Sequence, residues 1–286
     1  MLEKVANRVR RYPEKLENGM LVTEMTRAVR GSNSATQQMM LETAAATRLL
    51  ESEGILDYSG HVSTRIPERD AFVIQIGSTS RAEVTPQSML VVDYDGKVLE
   101  GDGQPPSELP IHLEILRARP DVQSVLHSHM ELAIAFTMME GVKLLPMRAR
   151  ASRWKNGIPT DPDPSHIKLP EQGRALARTL GPHHAVLMRA HGLCLVAESV
   201  RALFVDAIHF KENATAQMQA LQAGAKPMPL TEAEIAQIEQ MEMRDWHIKK
   251  LWNYYVRKAL DEEVLPQAWT DALVPSKEML TRESGL

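Results

Sequence analysis

The chain has 286 residues, 43% hydrophobic and 24% charged, with a formal net charge of −4. That length can bury a large core, and the balance is that of an ordinary globular protein, not a disordered or fibrous one. The mild acidity gives no electrostatic case for nucleic acid or an anionic membrane, no apolar run approaches the ~20 residues of a membrane span, and a lone Cys194 excludes an internal disulfide or a thiolate zinc cluster.

Residues 1–35 are polar and basic and read as an N-terminal arm. They lack a signal peptide's apolar segment, which predicts a cytoplasmic protein. A helix follows from about Thr36 to Ser52, with Gly54 as its stop. Gly60-His61-Val62-Ser63 forms a turn that enters a short strand. Phe72 to Gly77 and Met89 to Asp93 are strands, and Asp95-Gly96 makes a hairpin turn back into Val98-Leu99. Ser107 is the predicted N-cap of a helix with Pro110 in its first turn and its end near Ala118. Val122 to Met130 is an apolar strand closed by His127 and His129, and a helix is predicted from Glu131 to Met139.

Residues 141–170 carry five prolines and read as a long irregular connection, of a kind that is usually functional. Then come a helix from Gln172 to Leu180 and two strands, Ala185–Met188 and Leu193–Val196, around His191-Gly192. Long helices are predicted over Ser199–Ala223 and Thr231–Leu260, and the tail from Leu265 reads as loop. Helices and strands interleave without repeats, so an α/β domain with a mixed sheet is expected over 36–225, with a helical extension and tail over 226–286. There is no Gly-x-Gly-x-x-Gly or P-loop pattern.

Chemistry concentrates at one pattern. Residues i and i+2 of a strand share a face, so His127 and His129 project side by side as a natural pair of metal ligands. Glu108 lies 19 positions before His127, and His191 closes a second apolar run. Each alone has a bland explanation: histidines bonded to backbone carbonyls, and a glutamate favoured near a helix N-terminus. Together, a carboxylate and three imidazoles at element ends describe a catalytic divalent-metal site with an open position. Cys194, within an apolar run, reads as an inert buried thiol.

From Thr36 to about Gln222 the chain resembles the class II aldolase/adducin family. The resemblance rests on Gly60-His61-Val62-Ser63, Val84-Thr85-Pro86, Asp93-x-Asp95-Gly96, Ser107-Glu108-x-x-x-His112 and Ala118-Arg119-Pro120-Asp121-Val122. Val125-Leu126-His127-x-His129 and Ala185-Val186-Leu187-Met188-x-x-His191-Gly192 complete it. It implies a three-layer α/β/α sandwich with a central mixed sheet, and a homotetramer with active sites between subunits. It also implies one divalent metal ion per subunit on His127, His129 and His191, Zn2+ or Mn2+ with Co2+ or Fe2+ as alternatives, and Glu108 as the catalytic acid/base. A cation so placed would stabilise the enolate left when a carbon–carbon bond breaks.

The chain departs from the family's sugar-phosphate aldolases in three places. His61 stands where they carry Asn in a Gly-Asn-x-Ser turn. Gly77-Ser78-Thr79-Ser80-Arg81 replaces a Thr-Gly phosphate loop. Arg150, with Arg148 and Arg153 near it, falls where a Tyr from the neighbouring subunit is expected. The Gly-His-x-Ser turn resembles the family's decarboxylases, which act on hydroxylated aromatic and oxo-acid carboxylates. On that reading Gly60, Ser63, Ser78, Arg81 and Arg150 bind a small carboxylate substrate, since arginine fits a planar carboxylate through paired hydrogen bonds, and His61 joins Glu108 in catalysis. Ordinary salt bridges explain the two arginines equally well. A retro-aldolase or epimerase on a hydroxy-carbonyl substrate is the alternative, and a non-catalytic adducin-like module would be expected to have lost the ligands present here. Trp246, His247, Trp252, Tyr254 and Tyr255 form core, oligomer interface or an active-site lid.

Overall fold

A computed structural model describes residues 34–67 and 69–274. The arm expected over 1–35 falls almost wholly outside them, as does the end of the tail. The strands are β1 (His61–Arg65), β2 (Ala71–Gln75), β3 (Met89–Asp93), β4 (Val98–Glu100), β5 (Ser124–Ser128), β6 (Thr160–Asp161), β7 (Ala185–Met188) and β8 (Gly192–Ala197). They form one sheet in the order β4-β3-β2-β1-β5-β8-β7-β6, antiparallel except for the β6–β7 pair.

The central strands are apolar on both faces because helices cover both. The helices are α1 (Ser34–Ser52), α2 (Leu109–Ala118), α3 (Glu131–Thr137), α4 (Pro170–Leu180), α5 (Val200–Gln222), α6 (Glu232–Met241), α7 (Arg244–Asp261) and α8 (Thr270–Leu273). Alternate residues enter two separate cores. Ala71, Val73, Leu126, Leu193 and Leu195 pack with side chains of α1, α5 and α7, while Phe72, Ile74, Val125, Cys194 and Val196 pack with those of α2 and α4. The result is a helix–sheet–helix sandwich, as the family resemblance implies. No helix among the described residues is long and apolar enough to cross a membrane.

Three local expectations are corrected. The helix predicted over Thr231–Leu260 is two, because Glu242 is extended (ψ 122°) and α7 starts afresh at Arg244. No glycine or proline marks that break. Ion pairs hold it, with Arg244 forking onto both carboxylate oxygens of Asp206 on α5 (3.0 and 2.8 Å) and Arg150 reaching Glu242 (3.2 Å). The tail is not a loop throughout, since Leu265, Trp269, Leu273 and Val274 are buried in the α1/α5/α7 core. Finally, the N-cap of α2 is Glu108, not Ser107, and its side chain makes no capping bond. That side chain is turned elsewhere.

Candidate metal centre

Strand β5 sits between β1 and β8, with His127 opposite His61 on one side and Cys194 on the other. His127 therefore lies on the face covered by α2, completely buried. Its Nδ1 is 3.1 Å from the carbonyl oxygen of Leu193, an acceptor, so Nδ1 carries the proton and Nε2 is left with a lone pair. His129 follows directly on the strand end, its Nε2 3.0 Å from His127 Nε2. His191 closes the three-residue turn between β7 and β8. The preceding Ala190 holds φ at +55°, a conformation that side chains other than glycine rarely adopt and that is often retained at functional loops. Gly192 lets the turn approach, because a Cβ there would lie 2.5 Å from the Ser128 carbonyl oxygen and 3.2 Å from both His127 and His129.

Glu108, at the start of α2, completes the group. Its Oε2 is 3.3 Å from His127 Nε2 and its Oε1 3.4 Å from His191 Nε2, while the Ile167 N–H donates to Oε1 at 2.9 Å. One ligand atom from each of Glu108, His127, His129 and His191 falls within 4.8 Å of all the others. The residue types and their spacing fit a divalent cation, and so does their hydrogen bonding. Neither nitrogen of buried His191 has a hydrogen-bond partner, and the His127 Nε2 lone pair faces the Glu108 carboxylate. A cation resolves that conflict. Burial and the neighbouring His127 push His129 down to about 4, which keeps it a neutral ligand.

The remaining sequence candidates divide. His61 is buried on the same sheet face, its ring 5.1 Å from that of His127. Its Nδ1 meets His112 Nε2 at 2.7 Å, and His112 Nδ1 meets the Ser63 hydroxyl at 2.6 Å. Burial, then the nearby His112 and His127, push His61 down, and burial with His127 takes His112 to about 3, so both rings are neutral. Ser63 is wholly buried, and its hydroxyl is committed to His112. Gly60 has φ +72°, and a Cβ there would lie 2.9 Å from the His127 carbonyl oxygen, so it brings the turn close to β5. Arg81 is buried and donates to the carbonyls of Gly60, Gly77 and Thr79, which makes it a brace for these two loops. Ser78 is exposed on the loop after β2. Arg150 pairs with Glu242 and is not brought to the cluster within its own chain.

Sequence reasoning passed over three residues. His112 stood within a quoted motif, but its role depends on how α2 lies across β1. His166 sits on the long connection with Nδ1 3.6 Å from Glu108 Oε1 and its ring 5.1 Å from His191. Asp57 Oδ1 lies 4.0 Å from His129 Nδ1. No local pattern marks these last two.

The fold is thus a mixed sheet between helical layers, with three imidazoles beside its strand ends and a carboxylate at the start of α2 gathered into one cluster. Residues 41–218 match the Class II Aldolase and Adducin N-terminal domain, and the chain belongs to that family. It is 29% identical over 213 residues to the 3,4-dihydroxyphthalate decarboxylase of Arthrobacter keyseri, covering 69% of this chain and 85% of that one. It is 26% identical over 230 residues to the enzyme of that name from Rhodococcus jostii (strain RHA1), covering 76% and 93%. Among solved structures, an aldolase II superfamily protein from Pseudomonas syringae superposes with a TM-score of 0.71 at 22% identity, covering 82% of this chain and 96% of that one. Its decarboxylase relatives put the chain on a decarboxylase-like branch of the family.

Proposed function

We propose that this protein is a metal-dependent, non-oxidative decarboxylase, a carbon–carbon lyase acting on a small hydroxylated aromatic or oxo-acid carboxylate. One observation carries the reading: a carboxylate and three imidazoles converge within 4.8 Å, with a fourth buried imidazole, His61, on the same sheet face. The names of the relatives support decarboxylation over aldol cleavage.

On this reading His127, His129 and His191 hold a divalent ion, Zn2+ or Mn2+. When bound, it supplies a Lewis acid that lowers the cost of negative charge on a neighbouring substrate oxygen. Glu108 takes the proton of a substrate hydroxyl and returns one to the carbon that loses CO2, a role worth roughly 10²–10⁴-fold. The substrate carboxylate leaves as CO2, its bonding pair stays on the ring or chain, and the proton from Glu108 replaces it. His61 faces the departing carboxylate. Arg81 acts through the Gly60 carbonyl, holding the turn that carries His61. The wider assignment is a cytoplasmic homotetramer, in which a role for Arg150 requires the site of a neighbouring subunit.

The test is to load the protein with Zn2+ or Mn2+, offer 3,4-dihydroxyphthalate, other ortho-hydroxyaryl carboxylates and short sugar phosphates, and follow CO2 and aldehyde together. CO2 from an aryl carboxylate is the expected result. Aldehyde from a sugar phosphate without CO2 would replace this reading with a retro-aldolase.

A further inference from the structure

His61 and His112 share a hydrogen bond between two nitrogens, and a buried hydroxyl ends the chain. Two proton arrangements satisfy the inner bond. In one, the Ser63 O–H donates to His112 Nδ1, His112 Nε2–H donates to His61 Nδ1, and the remaining proton of His61 sits on Nε2. In the other, every bond is reversed and His61 Nε2 carries a lone pair.

The hydroxyl decides between them. Among the described residues Ser63 Oγ has His112 Nδ1 as its one hydrogen-bond partner. In the reversed arrangement Ser63 accepts from His112, and its own O–H is buried without an acceptor. In the first arrangement the donor left over is His61 Nε2–H, which is not among the fully enclosed side-chain atoms without a partner and so can meet solvent or substrate, whereas the Ser63 hydroxyl is wholly buried. Stranding the hydroxyl is the costlier choice, by a population bias of roughly tenfold or more. The first arrangement therefore prevails. We infer that Ser63, acting through His112, fixes His61 in the Nε2–H form, so that His61 offers the substrate carboxylate a hydrogen-bond donor and is neither a general base nor a further metal ligand. The tautomer follows from the geometry alone, whereas the carboxylate as its partner rests on the proposed function. Ser63 and His112 are thus positioning residues, and His61 alone of the three touches substrate.

Two readouts test this on zinc-loaded, full-length protein. The first is a long-range proton–nitrogen correlation spectrum of [15N]histidine-labelled protein, with signals assigned through His61→Asn and His112→Asn variants. Both rings should be Nε2–H in the parent. Ser63→Ala should shift His61 toward Nδ1–H, and Ser63→Thr, which keeps the hydroxyl, should restore the parent form. The second is calorimetric titration with salicylate and with catechol, which has hydroxyls but no carboxylate. Ser63→Ala should weaken salicylate about tenfold, the loss of one charge-assisted bond, and catechol less than twofold. An Nδ1–H form of His61 in the parent, tautomers unmoved by Ser63→Ala, or equal losses for both ligands would overturn the inference. Since the tautomer readout needs no turnover, protein that releases no CO2 yet shows both rings as Nε2–H would sink the proposed function and support this inference.

Discussion

His61 and His127 stand opposite each other across the β1–β5 ladder, ring centroids 5.1 Å apart, yet their Nδ1 atoms meet opposite chemistry. His127 Nδ1 faces a carbonyl and must donate, whereas His61 Nδ1 faces a second imidazole. One ring is thereby left with its Nε2 lone pair facing the Glu108 carboxylate. The other joins a hydrogen-bonded chain that ends at the Ser63 hydroxyl. Neighbouring histidines on one sheet face take different tasks from what stands behind each of them.

Replacing Glu108 separates binding from chemistry. Glu108→Gln keeps the shape and the acceptor for the Ile167 N–H while removing the charge and the proton carrier. Metal content measured by atomic spectrometry should stay near the parent's, and kcat should fall roughly 10²–10⁴-fold. Loss of metal with an unchanged rate per bound ion would show that Glu108 is a ligand and no more.

Gly192→Ala tests how tightly the β7–β8 turn presses on β5. The new Cβ would lie 2.5 Å from the Ser128 carbonyl oxygen, which the backbone cannot absorb without moving His127 or His191. Denaturant unfolding should show a loss of about 1–3 kcal/mol, accompanied by weaker metal binding.

The C-terminal aromatics fall into two groups. Trp252 is wholly buried against Phe204, with Arg201 over its ring, whereas Trp246 is 55% exposed. Trp252→Ala should cost about 3–5 kcal/mol in stability. Trp246→Ala should change stability by less than ~0.5 kcal/mol, as surface substitutions do. Equal effects of the two would contradict this division.

Stability should depend on Glu198 in acid. Burial raises its carboxyl, but Arg244 and Arg153 outweigh this and draw it from 4.5 to about 2. A depressed folded value contributes stability that is complete above the unfolded value and is lost as the pH falls from about 4.5 through about 2. Denaturation midpoints of parent and Glu198→Gln, compared at about pH 6, 4 and 3, should therefore converge as the pH drops.

How much of this was legible in the sequence depended on the reach of each interaction. The His127-x-His129 pair and the Gly192 turn are local, so period-two alternation and a glycine announced them. Glu108 and His191 joined them because element ends carry the ligands and the ordered motifs carried a family resemblance. The break at Glu242 was hidden, since Arg244 and Asp206 make it from distant parts of the chain. The Ser63–His112–His61 chain was hidden too: it exists because His112 of α2 reaches two residues of β1, which no spacing within either segment reveals. The bracing contacts of Arg81 were hidden for a related reason, since they are made to backbone carbonyls that only the folded turn brings together.

The central claim is that Glu108, His127, His129 and His191 surround one divalent cation. Calorimetric titration of metal-stripped protein with Zn2+ tests it most directly, run beside His191→Ala, which removes a buried ring whose nitrogens both lack a hydrogen-bond partner. The account predicts one tight site per chain in the parent and its loss in the variant. The same stoichiometry and affinity in both would contradict it.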